Sequence, residues 1–318
     1  MIVTLTPNPS VDRTLEVPAF ERGAVVRATS ARAHPGGKGV NVARALAANG
    51  VPSRAVLPSG GREGSALLAL LADLDVEVVP VPIGGSVREN VTIVEPDGTE
   101  TKLNAPGPTL SSDEIAALVE ATVAASRGAD WVALCGSLPP GGDERLYPNL
   151  VAALHETGVR VAVDASGSAL AASLPAAPDL VKPNAEELAE AVGRPLITIG
   201  DVVEAAYELL QRGAQITLVT LGAGGAVLTL DGDVFHAVAP RAMPRSTVGA
   251  GDATLAGFLA DGTVGPQALR RGVAWGTAAV KLPGTQMPGP DDVDLDEVRL
   301  IDPDTRLSIE RRVVTARA

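Results

Sequence analysis

Residues Ser246-Thr-Val-Gly-Ala-Gly-Asp252 run directly into the apolar stretch Ala253-Thr-Leu-Ala-Gly-Phe258. Small residues followed by an apolar run predict a helix whose first turn contains Asp252. The N-terminus of such a helix presents unpaired backbone N–H groups and the positive end of the helix dipole. Gly249 and Gly251 allow a phosphate oxygen to approach this backbone closely. A carboxylate at Asp252 can then accept the proton of an attacking hydroxyl, or it can simply complement the helix dipole.

A second glycine-rich segment, His34-Pro-Gly-Gly-Lys-Gly-Val-Asn-Val-Ala-Arg44, opens another predicted helix. Gly36 and Gly37 permit close approach to the backbone. Lys38 and Asn41 lie three residues apart and can therefore share one face of the helix. Asn41 offers both a donor and an acceptor, which suits the diol of a sugar. The alternative is a glycine-rich turn with a solvated lysine.

Two better-known phosphate-binding motifs are absent from the sequence. The Walker motif requires Ser or Thr directly after Gly-Lys, and Gly39 stands there. Neither Gly222-Ala-Gly224-Gly225 nor Gly249-Ala-Gly251 supplies the third glycine of the dinucleotide-binding fingerprint. A nicotinamide oxidoreductase is therefore not predicted.

Composition restricts the class of protein. The chain has 318 residues, 46% of them hydrophobic and 2% aromatic, which fits one large α/β unit with an aliphatic core. A net charge of −12 disfavours a nucleic-acid partner. The single cysteine, Cys135, cannot form an internal disulfide and is expected to be a small buried residue. The three histidines have no metal-ligand spacing. With no 18-residue apolar stretch and no leader, we expect a cytoplasmic protein that does not enter membranes.

Short β-branched runs alternate with Ala- and Leu-rich amphipathic stretches, which predicts a mostly parallel sheet with helices on both faces. The predicted strands are 2–6, 54–57, 131–134, 160–164 and 216–220. The predicted helices are 38–49, 64–73, 144–157, 186–192, 202–212, 250–260 and 267–282. The stretch from Pro288 onward is rich in Pro and Asp and ends in a short strand-like run, to which no chemistry is assigned.

Four further strand-like segments, 12–18, 25–32, 87–95 and 99–104, interrupt this alternation. Pro96-Asp97-Gly98 between the last two is a strong hairpin signal. We predict that the regions of about 11–34 and 86–106 form a small separate sheet that acts as a lid. The alternative is a hairpin that extends the main sheet. Exposed strand edges favour pairing between subunits, so a homodimer through the lid is expected.

Together the two glycine-rich motifs resemble the two signatures of the ribokinase-like, or PfkB, family of carbohydrate kinases. The resemblance extends from Thr6-Pro-Asn-Pro-Ser-Val-Asp12 to Gly276-Thr-Ala-Ala279. It is greatest for the branch of 1-phosphofructokinases and tagatose-6-phosphate kinases, through Arg88-Glu-Asn90, Gly136-Ser-Leu-Pro-Pro-Gly141, Lys182-Pro-Asn-Ala-Glu-Glu187 and Ser246. The resemblance implies one kinase domain over residues 1–318, with a three-layer α/β/α fold, a mostly parallel central sheet and a small β-sheet lid.

The resemblance also implies roles for the residues of the two motifs. Asp12, Gly37, Lys38 and Asn41 would hold the hydroxyls of the sugar. Asp252 would be the catalytic base, and the amides of Gly249, Ala250 and Gly251 would form an anion hole for the developing charge.

For the nucleotide, the resemblance places Lys182 near the phosphates and gives Asn184 and Glu187 the task of positioning Mg²⁺, largely through water. Mg²⁺ prefers a few carboxylates and water, which fits this sparse pair. The same two residues also fit the N-cap and third position of a helix. Thr220, Gly222 and Gly225 would contact ATP, and residues 276–282 would flank the adenine. A monovalent cation near the anion hole is also implied, without assignable ligands.

A phosphosugar acceptor needs cations for its existing phosphate. Arg88 matches the phosphate-binding arginine of the branch, and Arg27 and Lys38 are further candidates. Arginine suits this task because its planar fork grips phosphate through two hydrogen bonds. The alternative places either arginine in solvent on the lid. Asn90 and Ser137 are predicted to be polar neighbours of the sugar.

The implied activity is ATP-dependent conversion of fructose 1-phosphate to fructose 1,6-bisphosphate. A 6-phosphofructokinase or a tagatose-6-phosphate kinase would use the same residues, so these activities stay open. A regulator that binds phosphosugars on an inactive kinase fold is a further alternative. The presence of Asp252, Gly249, Gly251 and Glu187 argues against it.

Overall fold

The computed structural model describes residues 1–309. By its internal packing the chain divides into two compact units, one spanning Met1–Arg160 and the other beginning at Val161. The strand-like run at the end of the chain lies outside the described residues. Strands and helices alternate along both units, which confirms the predicted α/β class.

The larger sheet of the first unit consists of four parallel strands in the order β8-β1-β4-β5. The strands are β1 (Ile2–Leu5), β4 (Ser53–Ser59), β5 (Glu77–Pro82) and β8 (Trp131–Cys135). Four helices accompany them: α1 (Lys38–Ala48), α2 (Gly61–Ala72), α3 (Ser112–Ala125) and α4 (Leu146–His155). Because the carboxyl ends of parallel strands share one edge, the loops after β1 and β8 emerge on the same side.

A separate four-stranded sheet completes the first unit, in the order β3-β2-β6-β7. Its strands are β2 (Ser10–Glu16), β3 (Ser30–Gly36), β6 (Arg88–Val94) and β7 (Glu100–Leu103). The outer pairs are antiparallel, whereas β2 and β6 are parallel. The prediction of a separate small sheet is therefore confirmed, and the alternative of a hairpin that extends the main sheet is wrong. Its role as a lid stays a prediction.

One predicted strand of the small sheet, 25–32, is displaced, because the observed strand is β3 at Ser30–Gly36. Residues 17–29 contain no strand, and Val25 is 85% exposed. The register explains the difference, because β2 pairs antiparallel with β3 from Ser10 opposite Gly36 to Glu16 opposite Ser30. Before Ser30 the ladder with β2 ends, with one further hydrogen bond from the N–H of Thr29 to Glu16 O at 2.8 Å, and residues 17–29 form no strand.

The core of the first unit joins both of its sheets. Val11 of β2 packs in one buried cluster with Val40 of α1, Leu57 of β4 and Leu67 of α2. The small sheet is thus attached through its inner end to the helix that begins after Gly37. Cys135 is fully buried, as expected for a small core residue.

In the second unit β9, β10 and β11 are parallel, and β11 to β14 continue as antiparallel neighbours. The strands are β9 (Arg160–Asp164), β10 (Leu180–Val181), β11 (Thr217–Thr220), β12 (Ala226–Leu230), β13 (Asp233–Val238) and β14 (Arg299–Ile301). The helices are α5 (Gly167–Ser173), α6 (Ala185–Val192), α7 (Ile199–Gln211), α8 (Ala250–Leu259) and α9 (Pro266–Lys281).

Candidate active site

In the first unit, Asp12 is held in the middle of the small sheet. Its Oδ1 atom accepts hydrogen bonds from Ser10 Oγ at 2.7 Å and from Asn90 Nδ2 at 2.9 Å. Asn90 is its parallel partner on β6, and Asn90 Oδ1 in turn accepts from the backbone N–H of Ala105 at 3.1 Å. A Cβ atom at position 36 would collide with Asp12 Oδ2, so this approach requires glycine. Asp12 and Asn90, predicted separately, therefore belong to one hydrogen-bonded group.

Arg88 is half-buried beside this group. Its Nη1 donates to Ala105 O at 3.0 Å and its Nη2 donates to Asn8 O at 3.1 Å. Burial lowers the pKa of the Arg88 guanidinium, and the Asp12 carboxylate opposes this effect. The guanidinium remains charged at neutral pH because arginine is strongly basic. Two backbone carbonyls thus hold a partly desolvated cation within the small sheet.

The glycine-rich helix start is formed as predicted. Gly37 is the N-cap of α1 with φ 113°, a conformation that favours glycine, and α1 begins at Lys38. Asn41 is buried, and its Oδ1 accepts from Arg44 Nη1 at 3.0 Å. A Cβ atom at Gly136 would lie 3.9 Å from Lys38 Cβ, so the loop that carries Ser137 lies beside the start of α1.

Arg27 differs from the prediction. It was expected on a strand of the small sheet, but it lies exposed in the loop between β2 and β3. The register of β2 with β3 ends at Ser30, which leaves Arg27 outside the sheet. Its contact with phosphate stays a prediction, and the arginine would make that contact from a loop.

In the second unit, Asp252 lies in the first turn of α8 and is 8% exposed. The helix begins at Ala250, and its N-cap, Gly249, has φ 80°. The predicted backbone anion hole is therefore a helix N-terminus, as the sequence indicated. A Cβ atom at Gly251 would lie 3.5 Å from Lys182 Nζ, so the lysine ammonium lies next to this helix start.

Lys182 is buried with a carboxylate that the sequence did not single out. Its Nζ lies 3.1 Å from Asp164 Oδ2, and the two side chains are 4% and 0% exposed. Asp164 is the last residue of β9, and Lys182 directly follows β10, the parallel neighbour of β9. A polar residue at the end of an apolar strand was the available signal for Asp164.

Asn184 and Glu187 form a complete capping box at the start of α6. Asn184 Oδ1 accepts from the backbone N–H of Glu187 at 2.8 Å, and Glu187 Oε2 accepts from that of Asn184 at 2.9 Å. The helix-start interpretation is thereby confirmed. Thr220 lies beside this turn, because its backbone N–H donates to Pro183 O at 3.1 Å and it forms a parallel bridge with Asn184.

The predicted ATP loop is a tight turn after β11. Residues Gly222–Gly224 form one turn of 3₁₀ helix, and the N–H of Leu221 donates to Gly225 O at 2.8 Å. Gly225 has φ 79°, and a Cβ atom there would collide with Ala237 O. Buried His236 of β13 places Nε2 2.8 Å from Gly224 O, a further contact that the sequence did not indicate.

The donor set suits a loosely held Mg²⁺. Within residues 1–309 no three His, Cys, Asp or Glu side chains gather as a metal-binding group. Asn184 and Glu187 place one amide and one carboxylate at a helix start. Mg²⁺ keeps several waters and takes one or two carboxylates plus substrate phosphates, so these residues fit an ion that arrives with a nucleotide.

Comparison with known proteins identifies the family of the chain. Residues 6–292 match the family described as pfkB family carbohydrate kinase. The chain belongs to this family. It is 39% identical to the 1-phosphofructokinase of Rhodobacter capsulatus over 298 residues, which cover 91% of this chain and 93% of that protein. It is 37% identical to the ATP-dependent 6-phosphofructokinase isozyme 2 of Escherichia coli strain K12, with 92% and 96% of the two chains covered.

A solved structure agrees with this assignment. The crystal structure of phosphofructokinase-2 from Escherichia coli in complex with potassium superposes with a TM-score of 0.86 and 36% identity, covering 92% of this chain and 96% of that one. Membership of the family confirms the resemblance carried by the two glycine-rich motifs and makes the chain a carbohydrate kinase. None of the helices between residues 1 and 309 has the length and apolar character needed to cross a bilayer.

Proposed function

We propose that this family member transfers the γ-phosphoryl group of ATP to a hydroxyl of a phosphosugar, converting fructose 1-phosphate to fructose 1,6-bisphosphate. The observation that carries this proposal is the 39% identity to a 1-phosphofructokinase over 91% of the chain. The half-buried network around Asp12 and Arg88 supports it, because it joins a group suited to sugar hydroxyls with a cation suited to phosphate.

The acceptor is proposed to bind to the first unit. Asp12 accepts hydrogen bonds from the sugar hydroxyls, and Asn90 exchanges hydrogen bonds with them. Gly37, Lys38 and Asn41 at the start of α1 contribute further contacts. Arg88 holds the existing phosphate, with Ser137 as a polar neighbour and Arg27 as a second cation from its loop. Arg88 is the better placed of the two arginines, because two backbone carbonyls fix its guanidinium and leave further N–H groups to donate.

The chemical step is assigned to the start of α8. The acceptor hydroxyl oxygen bonds to the γ-phosphorus of ATP while the bond from that phosphorus to the β,γ-bridging oxygen breaks, and ADP leaves. Asp252 accepts the hydroxyl proton. The amides of Gly249, Ala250 and Gly251 stabilise the charge on the transferred group, since a helix N-terminus directs N–H groups and a positive dipole end toward it.

The nucleotide is proposed to bind to the second unit. Lys182, beside Gly251, neutralises phosphate charge, and Thr220, Gly222 and Gly225 contact ATP. Asn184 and Glu187 would hold Mg²⁺ largely through water. When bound with ATP, the ion neutralises charge on the phosphates. A monovalent cation near the anion hole is proposed on the strength of the potassium complex of the Escherichia coli protein.

We also propose that the protein is cytoplasmic and that it forms a homodimer through the small sheet. Leu103 is 57% exposed on the outer strand β7, directly opposite Val91 on β6, so an apolar pair lies at this edge of the small sheet. Two outer strands, β3 and β7, also present unpaired edges. Light scattering measures the molar mass of wild type and of Leu103→Glu. A change from dimer to monomer supports the interface, and an unchanged mass contradicts it.

One assay tests the function directly. ADP release is measured with fructose 1-phosphate, fructose 6-phosphate, tagatose 6-phosphate and ribose at equal concentrations. We expect the highest kcat/KM for fructose 1-phosphate. A preference for fructose 6-phosphate would favour the second candidate, 6-phosphofructokinase, which the 37% identity to that isozyme supports. Equal turnover of ribose would overturn the phosphosugar assignment, and binding of phosphosugar without ADP release would indicate the inactive regulator.

A further inference from the structure

Asn8 occupies a central position in the first unit that no part of the proposed chemistry uses. It lies in the short connection between β1 and β2 and is 5% exposed. Its Nδ2 donates to Pro106 O at 3.0 Å and to Leu138 O at 3.4 Å. Pro106 belongs to the loop after β7, and Leu138 belongs to the loop after β8. One buried amide therefore joins three connections that are far apart in the sequence.

The segments that Asn8 joins are the ones that hold the proposed acceptor groups. The main-chain oxygen of Asn8 accepts from Arg88 Nη2, and the neighbour of Pro106, Ala105, accepts from Arg88 Nη1. The neighbour of Leu138 is Ser137. The side chain of Asn8 thus bonds to the residues next to Ala105 and Ser137, and its main-chain oxygen bonds to Arg88.

The orientation of the Asn8 amide is determined by its surroundings. Two carbonyl oxygens require the two N–H bonds of the NH₂ group, which turns Oδ1 toward Gly107. Gly107 has φ 92°, and a Cβ atom there would collide with Asn8 Oδ1. Oδ1 itself is buried without a hydrogen-bond partner. A buried acceptor without a hydrogen bond costs free energy. A role of the side chain in positioning its neighbours explains why this cost is tolerated.

We infer that Asn8 is a positioning residue for the acceptor: its amide fixes Arg88 and the Ser137 loop in one arrangement, so that a phosphosugar meets both. This inference rests on the proposed function. Asn8 does not touch the substrate, and its side chain acts by holding the segment of Ala105, whose carbonyl accepts from Arg88. Its loss should therefore weaken binding of the phosphosugar and leave ATP unaffected, because the groups assigned to ATP lie on other segments.

The test compares Asn8→Ala with Thr122→Ala. Thr122 is fully buried in the same unit and donates to Leu118 O at 2.7 Å within α3, so its variant loses a similar hydrogen bond away from the acceptor groups. For Asn8→Ala we expect KM for fructose 1-phosphate to rise by about tenfold, which corresponds to about 1.4 kcal/mol, while KM for ATP stays within about twofold. Thr122→Ala is expected to lower Tm and leave both KM values unchanged.

A second arm places Asn8→Ala in the Arg88→Ala background. If Asn8 acts partly through Arg88, the second substitution raises KM by less than the tenfold expected in wild type, because residues of one network are not additive. If Asn8→Ala does not yield folded protein, Asn8→Ser, which keeps one donor, is measured in its place, with a smaller rise in KM expected.

The outcomes separate the two proposals. An active wild type whose Asn8 variants keep the same KM for the phosphosugar, or raise both KM values equally, overturns the positioning role and leaves the kinase intact. A full additional loss in the Arg88→Ala background also overturns it. A wild type that phosphorylates no phosphosugar ends the proposed function, and the inference about its acceptor falls with it.

Discussion

The ammonium nitrogen of Lys182 lies 3.1 Å from Asp164 Oδ2 in the interior of the second unit, where both side chains are almost completely buried. Removing one member of such a pair leaves an uncompensated charge in a medium of low polarity. We expect Asp164→Asn to lower the free energy of unfolding by about 3–5 kcal/mol, as measured by urea denaturation. Lys182 also lies beside Gly251, so KM for ATP should rise together with the loss of stability.

The control for this prediction is a surface ion pair of the same unit. Lys281 Nζ lies 2.9 Å from Glu297 Oε2, and both side chains are about two-fifths exposed. Exposed pairs typically contribute about 0.2–1 kcal/mol, so Glu297→Gln should have little effect on either measurement. Equal losses from the two substitutions would show that burial does not govern the contribution of Asp164.

Asp252→Asn tests the proposed base. The amide keeps the shape of the carboxylate and cannot take the hydroxyl proton, so kcat should fall by about 10²–10⁴-fold. Binding of ATP and of the phosphosugar, measured by calorimetry, should persist. The matched control is Asp113→Asn, an exposed aspartate that also lies in the first turn of its helix, α3. Residual activity above about a tenth of wild type would contradict the assignment, since loss of a general base costs more than that.

Hydrophobic patterning predicted most of the helices and the buried strands to within a few residues, because amphipathic helices bury one face and central strands such as β1 and β8 are buried along their whole length. It missed α3, although Ser111 and Glu114 form the capping box that could have identified it. It also missed the β12–β13 hairpin, whose turn residues Asp231 and Gly232 both have positive φ and whose Asp-Gly pair is a recognised signal. The sequence therefore contains the signals for both α3 and this hairpin.

The site was predictable only in part, for a physical reason. Glycine-rich helix starts are local features, so Gly37 and Gly249 could be placed from the sequence. The hydrogen bond between Asn90 and Asp12 depends instead on parallel pairing of strands that are 78 residues apart. The contacts of Asn8 depend on loops even farther away along the chain, which no local pattern contains.

Arg88→Ala tests the proposed phosphate contact. The variant loses a partly buried cation, so KM for fructose 1-phosphate should rise by at least about tenfold, whereas KM for ATP should change little. Arg13→Ala is the control. Arg13 neighbours Asp12 on β2 and therefore points to the opposite face of the small sheet, where it pairs with Glu89 at 2.9 Å. A parallel rise in KM for ATP would show that Arg88 does not act on the acceptor alone.

His34 predicts a pH dependence of stability. It lies directly opposite Asp12 on β3, and burial lowers the pKa of its imidazole, with Arg44 and Arg32 adding to this effect and Asp12 opposing it. The unfolded chain then binds a proton at His34 more readily than the folded protein does. Its contribution to stability is therefore complete above the ordinary histidine pKa of about 6.5 and declines as the pH falls from there toward the lowered value.

Urea denaturation between about pH 5 and pH 8 measures this effect, since the unfolded pKa of histidine lies inside that range. We expect the free energy of unfolding of wild type to fall toward the acidic end, and that of His34→Gln to fall less. Thr122→Ala, at a buried residue of α3 that carries no charge, is the control and should keep the slope of wild type. If His34→Gln retains the full slope, other groups carry the acid sensitivity, and the burial of His34 beside Asp12 has no measurable consequence for stability.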